Sequence, residues 1–265
     1  MTKIRRMKRI FANDGKSITL ALDGYHFSSK TEEIDKTISL MPALMKSGLD
    51  AVLVTYGMAK AYADAFGRLG MLIRADASTE IFDPSVPRTM ASITVEDAVR
   101  LGADGIISMT FPGADNEAES HRIASVLAKD ADQWNMPFMC ETLPFGYAVT
   151  NEASNDPNVI AVAARIGTEF GADIIKTRFS GRAEDRAIVN AANCPVLALG
   201  GPKTKKIEDY FTYVKHCIDM GAKGVAAGRN IIQSENPVGV VAALNVLIHQ
   251  EGSVEEAYQA YRVSF

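Results

Sequence analysis

Four stretches of this 265-residue chain share one grammar. They are SGLDAVLVT (47–55), LGADGIISM (101–109), FGADIIKTR (170–178) and MGAKGVAAG (220–228). In each, a helical pattern ends at a glycine. A small or apolar residue follows, then Asp or Lys, then a short apolar run. A glycine in that place supplies the left-handed conformation that closes a helix. A short, continuously apolar run suits a parallel strand covered on both faces. Each unit therefore reads as helix, tight turn, strand.

Four further strand patterns fill the gaps: SITLALD (17–23), MLIRAD (71–76), PFMCET (137–142) and PVLALGG (195–201). Helical patterns alternate with the strands near 31–47, 57–68, 94–101, 114–134, 155–170, 182–193, 206–220 and 237–249. Eight strands alternating with eight helices predict an α/β fold, a (β/α)8 TIM barrel, and the chain length matches the ~250 residues typical of one. A doubly wound open sheet is the competing arrangement. It usually carries a glycine fingerprint after the first strand, where this chain has DGYHFSSK. No Pro/Gly/Ser-rich linker divides the sequence, so residues 1–265 are expected to form a single domain. The opening MTKIRRMKRIF is basic with no apolar segment behind it, which predicts a short amphipathic capping helix and no secretory signal.

The charge balance narrows the partners. A formal net charge of −4 offers no basic excess for a nucleic-acid backbone, while a small anion needs only local positive charge. No run of 18 apolar residues predicts a membrane span. Cys140, Cys194 and Cys217 are scattered, which suggests no disulfide framework and a reducing cytoplasm. The histidines His26, His121, His216 and His249 lie far apart with no H-x-x-x-H pair, so no metal site is expected.

Lys176 interrupts the apolar strand pattern of FGADIIKTRFSG (170–181). Alternation puts Ile174, Lys176 and Arg178 on one face and Ile175 and Thr177 on the other. Active sites of such barrels sit at the carboxyl ends of the strands, and Lys176 closes strand six there. Burial and the neighbouring Arg178 would both disfavour an ammonium, and a neutral amine can attack a carbonyl to form a Schiff base. A lysine in this place can equally bind phosphate electrostatically or pair with Asp23.

The same rim carries two glycine loops. Strand seven ends in LALGGPKT, with Gly200 and Gly201, and strand eight ends in GVAAGRN, with Gly228 and Arg229. Glycines let backbone N–H groups approach an anion closely, and the guanidinium fork suits phosphate oxygens. Phosphate sites of barrels often follow strands seven and eight. Tight βα turns alone would also call for these glycines.

The stretches RMKRIFANDGKSITLALDG, IRADAST, DPNVIAVAARIGTEFGADIIKTRFSG, LALGGPKT and GVAAGRNIIQSENP resemble the archaeal-type class I fructose-bisphosphate aldolase family. That family includes aminodideoxyheptulosonate synthases and an autoinducer-phosphate thiolase branch, and is related to deoxyribose-phosphate aldolase. The resemblance spans nearly the whole chain. It implies a (β/α)8 barrel, a Schiff-base lysine at Lys176, and phosphate binding at Gly200, Gly201, Gly228 and Arg229.

Two departures from the family pattern bear on the substrate. The family's first strand usually ends in Asp-His-Gly. Here Asp23-Gly24-Tyr25-His26 keeps the acid and displaces the histidine, so His26 reads as a loop residue with a possible substrate contact. Asp23 shares a face with Thr19 and Ala21, opposite Ile18, Leu20 and Leu22, and is expected to orient the amine or assist carbinolamine proton transfers. A buried salt bridge to the lysine is the alternative. The fifth strand of family fructose-bisphosphate aldolases carries Tyr-Pro-Arg-Gly, whereas this chain has Leu143-Pro144-Phe145-Gly146. MPFMCE (136–141) instead resembles the Pro-Phe-Phe-Leu-Glu stretch of class I tagatose-bisphosphate aldolases, which makes Glu141 the acid/base. A carboxyl held in a barrel mouth can have a raised pKa and shuttle a proton. The alternative for Glu141 is a structural pairing with Arg178 or Arg229. Tyr147 is the reserve proton carrier, and Arg178, Tyr147 and His26 are candidate substrate contacts.

The expectation is a cytoplasmic, homo-oligomeric class I aldolase acting on a phosphorylated sugar, without cofactor or metal. A lysine-dependent thiolase acting on a phosphorylated diketone and a catalytically silent sugar-phosphate binding protein are the alternatives.

Overall fold

The computed structural model describes residues 1–24, 33–77, 88–146 and 152–264. Eight parallel strands close into a barrel: β1 Ser17–Ala21, β2 Ala51–Val54, β3 Gly70–Arg74, β4 Gly105–Thr110, β5 Phe138–Thr142, β6 Ile174–Thr177, β7 Val196–Leu199 and β8 Gly224–Ala227. Each strand pairs with its sequence neighbours, and β1 closes the ring on β8 with Ser17 opposite Gly224. Helices run between consecutive strands on the outside, so the structure is the (β/α)8 barrel that the repeats predict.

Alternation along the strands produces two shells. Ala21, Leu53, Leu72, Ile107, Met139, Ile174, Leu197 and Ala226 fill the barrel interior. Their chain neighbours, such as Leu20, Val52, Ile73, Ile106, Cys140 and Ile175, face the helices and merge with the helices' apolar stripes. Ile18, Leu20 and Leu22 fall in the outer shell, as expected for a first strand that turns Asp23 inward.

The repeated glycines end helices in the predicted way. Gly48, Gly102, Gly171 and Gly221 all have positive φ, between 77° and 108°. The Asp two residues later has a structural use. Asp50 accepts from the Ile18 amide (2.7 Å), Asp104 from the Met71 amide (3.1 Å) and Asp173 from the Phe138 amide (2.9 Å). Each of these acids, entering an even-numbered strand, anchors the amino-terminal end of the strand before it. A carboxylate accepting a backbone N–H makes a charge-assisted bond of roughly twice the strength of a neutral one. The device stitches the lower rim and leaves the upper rim free for loops.

The basic N-terminal segment forms the helix Lys3–Ile10, with Thr2 as its N-cap. Its end does more than cap the domain: Ile10, Phe11 and Met7 join the interior cluster and plug the barrel from below. Two elements lie outside the sequence pattern. Asp76–Ala77 pairs antiparallel with Met90–Ala91 beyond β3, and a last helix, Val254–Val263, follows a Ser253/Glu256 capping box.

His249 follows the helix Pro237–Ile248 and closes the lower rim. Its Nδ1 faces Asp14 at 2.8 Å and its Nε2 faces Asp50 at 3.0 Å. Two carboxylates leave both ring nitrogens acting as donors, which requires the imidazolium. Burial pushes the His249 pKa down, but the bonds to Asp50 and Asp14 outweigh it and the net shift is upward. A raised histidine stabilises the fold fully below the unfolded value of about 6.5 and loses that contribution as pH rises through the folded value. Urea unfolding at stepped pH should therefore show wild type more stable than His249→Gln in mild acid, with the gap closing as pH rises. A gap that widens above neutrality would refute the assignment.

Candidate active site

Inward alternation carries charge into the upper layer of the barrel. Arg74 lies two residues beyond Leu72 on β3, Glu141 two beyond Met139 on β5, and Lys176 two beyond Ile174 on β6. Glu141 and Lys176 are register partners on adjacent strands. Asp23 and Asp76 lie just past the ends of β1 and β3. All five side chains are buried, between 1% and 4% exposed.

They form one connected network. Lys176 Nζ lies 2.9 Å from Glu141 Oε1. The other oxygen, Oε2, accepts from Arg74 Nη2. The same guanidinium reaches Asp23 Oδ2 at 2.6 Å and, through Nη1, Asp76 Oδ1 at 3.1 Å. Asp76 Oδ2 accepts in turn from the Met109 amide at 3.1 Å. Burial disfavours the Arg74 charge, but Asp23, Asp76 and Glu141 outweigh it and hold its pKa well above the ordinary value.

Several sequence expectations change here. Burial acts to raise the Glu141 pKa, as expected of a carboxyl in a barrel mouth. The Lys176 and Arg74 charges outweigh burial, and the net shift is downward. Glu141 pairs with Lys176 and Arg74, not with Arg178 or Arg229. Asp23 is bonded to Arg74 and, among the described residues, reaches Lys176 only through Arg74 and Glu141, so it does not orient the amine directly and the alternative Asp23–Lys176 salt bridge does not form. Arg178 shares the face of Lys176, but its Nη2 donates to the Gly146 carbonyl at 2.7 Å and its Nη1 approaches the Ser154 carbonyl at 3.5 Å. It ties down the chain beyond β5, and the charge in contact with the Lys176 amine is a carboxylate. His26 and Tyr147 lie outside the described residues.

At the carboxyl ends of β4 and β5, Met109, Phe111 and Leu143 form a buried apolar cluster against Leu199. Leu143, in the place of the family's tyrosine, has no proton to give.

The two glycine loops meet on the same rim. A Cβ on Gly200 would approach that of Ala227 to 2.7 Å, and one on Gly228 would meet the Ala21 carbonyl oxygen at 2.6 Å. Close packing between loop and strand thus accounts for both glycines, while Gly201 has φ +68° and open space beside it. Arg229 is exposed, and among the described residues nothing engages its guanidinium. Asn230, 2% exposed, joins the loops. Its Nδ2 donates to the carbonyls of Gly200 (2.7 Å) and Pro202 (3.0 Å), and its Oδ1 accepts from the Thr204 amide (3.0 Å).

Arg74, Asp76 and Asn230 were not among the residues expected from sequence. Arg74 had the same signal as Lys176, a cation on the inward face of an apolar strand. Asn230 had only its place after Arg229.

A parallel barrel with a buried lysine–carboxylate pair at its carboxyl rim is a scaffold for amine chemistry on carbonyl compounds. The chain belongs to the DeoC/LacD family of aldolases, whose family model matches residues 11–234. It is similar to the class 1 fructose-bisphosphate aldolase of Thermoproteus tenax, at 32% identity over 91% of this chain and 92% of that one. It is also similar to 2-amino-3,7-dideoxy-D-threo-hept-6-ulosonate synthase 1 of Archaeoglobus fulgidus, at 33% identity over 97% and 95%. Among solved structures, an archaeal fructose-1,6-bisphosphate aldolase with its catalytic lysine bound to the carbinolamine intermediate superposes with a TM-score of 0.82. It is 30% identical, with coverage of 94% of this chain and all of that one. The protein is thus a lyase of the class I type, in which an iminium serves where other aldolases use a metal ion.

Asn230→Ala removes four hydrogen bonds that hold the loop after β7 to the loop after β8, the weakest of them from the Thr204 hydroxyl at 3.4 Å. At roughly 1 kcal/mol net per neutral bond, urea denaturation should show a loss of about 1–3 kcal/mol. Amide exchange at residues 201–204 should accelerate in the same variant. Unchanged exchange would mean that the loop holds its shape without Asn230.

Proposed function

We propose that this protein is a class I aldolase for a phosphorylated ketose and that Lys176 forms the Schiff base. The observation that carries the reading is the 2.9 Å contact between the buried Lys176 amine and Glu141. It gives the nucleophile a proton acceptor within hydrogen-bond reach. Transfer of one proton from the ammonium to Glu141 leaves a neutral amine, which adds to the ketone. A second nitrogen proton moves to the former carbonyl oxygen, giving a neutral carbinolamine. Glu141 returns its proton to that hydroxyl as water departs. The iminium then carries the positive charge, and Glu141 is again a carboxylate.

From that state the iminium draws electrons from the bond between its α and β carbons. The β-hydroxyl loses its proton to a base, the aldehyde leaves, and an enamine remains. Glu141, recovered as a carboxylate, is the base this geometry supports, and it can return the proton to the enamine carbon. This places its acid/base work at the amine first, a different emphasis from a carboxyl serving cleavage alone. Asp23 acts through Arg74. Gly200, Gly201, Gly228 and Arg229 form the phosphate end of the site, a reading supported by their place on the rim after β7 and β8.

The names of the relatives support a sugar-phosphate substrate, with fructose 1,6-bisphosphate as the first candidate. Free, scattered cysteines support a cytoplasmic location, and cell fractionation tests it. Exposed Val126, Trp134 and Val162, on or beside the helices that follow β4 and β5, support a homo-oligomer. Light scattering that gives the monomer mass would remove that part of the reading.

Borohydride added with fructose 1,6-bisphosphate or dihydroxyacetone phosphate should attach the substrate carbons to Lys176, and Lys176→Met should lose both adduct and turnover. An adduct on Lys203 or Lys205 would overturn the assignment, and no adduct at all would point to a silent binding protein.

Arg229→Ala should weaken phosphorylated ligands by about 1.5–3 kcal/mol, the range for hydrogen bonds to charged groups. Isothermal titration with dihydroxyacetone phosphate checks this. Equal binding of dihydroxyacetone and its phosphate would remove the phosphate site.

A further inference from the structure

We infer that Arg74 is the positioning residue of this site: it aims Glu141 at the Lys176 amine and keeps that carboxyl ionised until the amine surrenders its proton. The inference rests on the reading of Lys176 as the Schiff-base lysine and adds a residue that acts through Glu141.

The geometry is specific to such a role. Glu141 has two oxygens and two cationic neighbours, one to each. Oε1 faces Lys176 and Oε2 faces Arg74. A carboxylate held at both oxygens by groups from different strands has its plane fixed, so its proton-accepting edge points at the amine. Arg74 is itself held by Asp23 after β1 and Asp76 after β3, and Asp76 is pinned by the Met109 amide. A lysine at this place would present one point charge, where the guanidinium fork reaches three carboxylates at once.

The charged and titratable groups around Glu141, among the described residues, come from few elements. They are Lys176 on β6, Arg74 on β3, and the two aspartates that share the guanidinium. Its chain neighbour Cys140 is pushed up to about 12 by burial and stays a neutral thiol near neutrality. Arg178 is engaged by carbonyls beyond β5. Met109, the register partner of Glu141 on β4, and Leu197, the register partner of Lys176 on β7, bring only apolar surface. Arg74 is therefore the one cation besides the nucleophile that this network places on Glu141.

The role has a signature that a purely structural role lacks. Adding a proton to the Lys176–Glu141 pair inactivates it, so the acid limb of its reactivity follows Glu141. Without the Arg74 charge, Glu141 takes that proton at higher pH. Removal of an opposite charge within contact moves a carboxyl by about one to three units.

The experiment measures the initial rate of cyanoborohydride trapping of dihydroxyacetone phosphate on Lys176 between pH 3 and 8.5, a range that reaches below the ordinary carboxylate value. Wild type, Arg74→Met, Arg74→Lys and Asp76→Asn are compared, with folding checked by circular dichroism. The acid limb of Arg74→Met should move up by about one unit or more. Relative to its own plateau, that variant should then lose about twofold or more at one unit above the wild-type midpoint, where wild type is still on its plateau. Arg74→Lys should restore part of the shift. Asp76→Asn, which removes an anion from the same guanidinium, should move the limb in the opposite direction. If Arg74→Met does not fold, the opposed shifts of the other two variants decide. Rates lowered equally at every pH, with limbs superimposed on wild type, would overturn the inference and leave Arg74 a fold residue. Wild-type protein that forms no adduct on Lys176 would instead overturn the underlying assignment of the lysine, and this inference with it.

Discussion

A guanidinium buried inside a barrel has to be answered by carboxylates, and much of this site follows from that requirement. Moving an ion out of water costs several kcal/mol even after relaxation, and the cost is met only where the remaining donors and acceptors are satisfied. Arg74, at 2% exposure, meets it with Asp23, Asp76 and Glu141. Those acids arrive from the ends of β1 and β3 and from β5, so the charge network can form only in a closed barrel. The link from sequence to fold and the link from fold to site are one constraint here. The residues that complete the chemistry become neighbours when the ring closes.

The barrel handles its two rims differently. The lower rim is built for permanence: Asp50, Asp104 and Asp173 hold strand amides, Ile10 and Phe11 fill the floor, and His249 clamps Asp14 to Asp50. The upper rim concentrates charge, glycine and loops. Interior side chains change from apolar below to charged above within two residues on three strands: Leu72 to Arg74, Met139 to Glu141, Ile174 to Lys176. That step places the amine at the boundary between a dry core and an open mouth. There, electrostatic interactions are stronger than in water.

The repeat grammar made the fold legible, because glycine-ended helices and apolar runs report local backbone demands that every βα unit meets in the same way. Lys176 was legible for a related reason: a cation in the inward column of a buried strand violates the pattern. Arg74 violates it equally in MLIRAD, yet it passed as part of an apolar run. Its meaning depends on partners 51 and 67 residues away, and no local pattern encodes those distances. The direction of the Glu141 shift is hidden from the sequence for the same cause. Burial can be inferred from strand position, whereas the two cations that reverse its effect come from β3 and β6. The helix Val254–Val263 was available in principle through Ser253 and Glu256, three residues apart as a capping box requires. The Asp76–Ala77 ladder, two residues long, falls below what alternation can reveal.

The network also suits a reaction in which charge must return to its starting place. Asp23, Asp76 and Glu141 set three carboxylates against the two cations Arg74 and Lys176, one negative charge in excess. With Lys176 as the Schiff-base residue, the resting ammonium and the reactive iminium carry the same charge on the same nitrogen. Carboxylates arranged to hold the first are therefore already arranged to hold the second, and little reorganisation is needed as one replaces the other. Only the intermediates between them, the neutral amine and the carbinolamine, disturb the balance, and they do so by one proton that Glu141 takes and gives back. On the proposed reading, a single carboxylate at 2.9 Å suffices for that exchange, because the surrounding charges do not have to move. On that reading, the leucine at position 143, in place of the tyrosine of the family pattern this chain resembles, is compatible with this economy: the proton traffic at the nitrogen needs no phenol on the fifth strand.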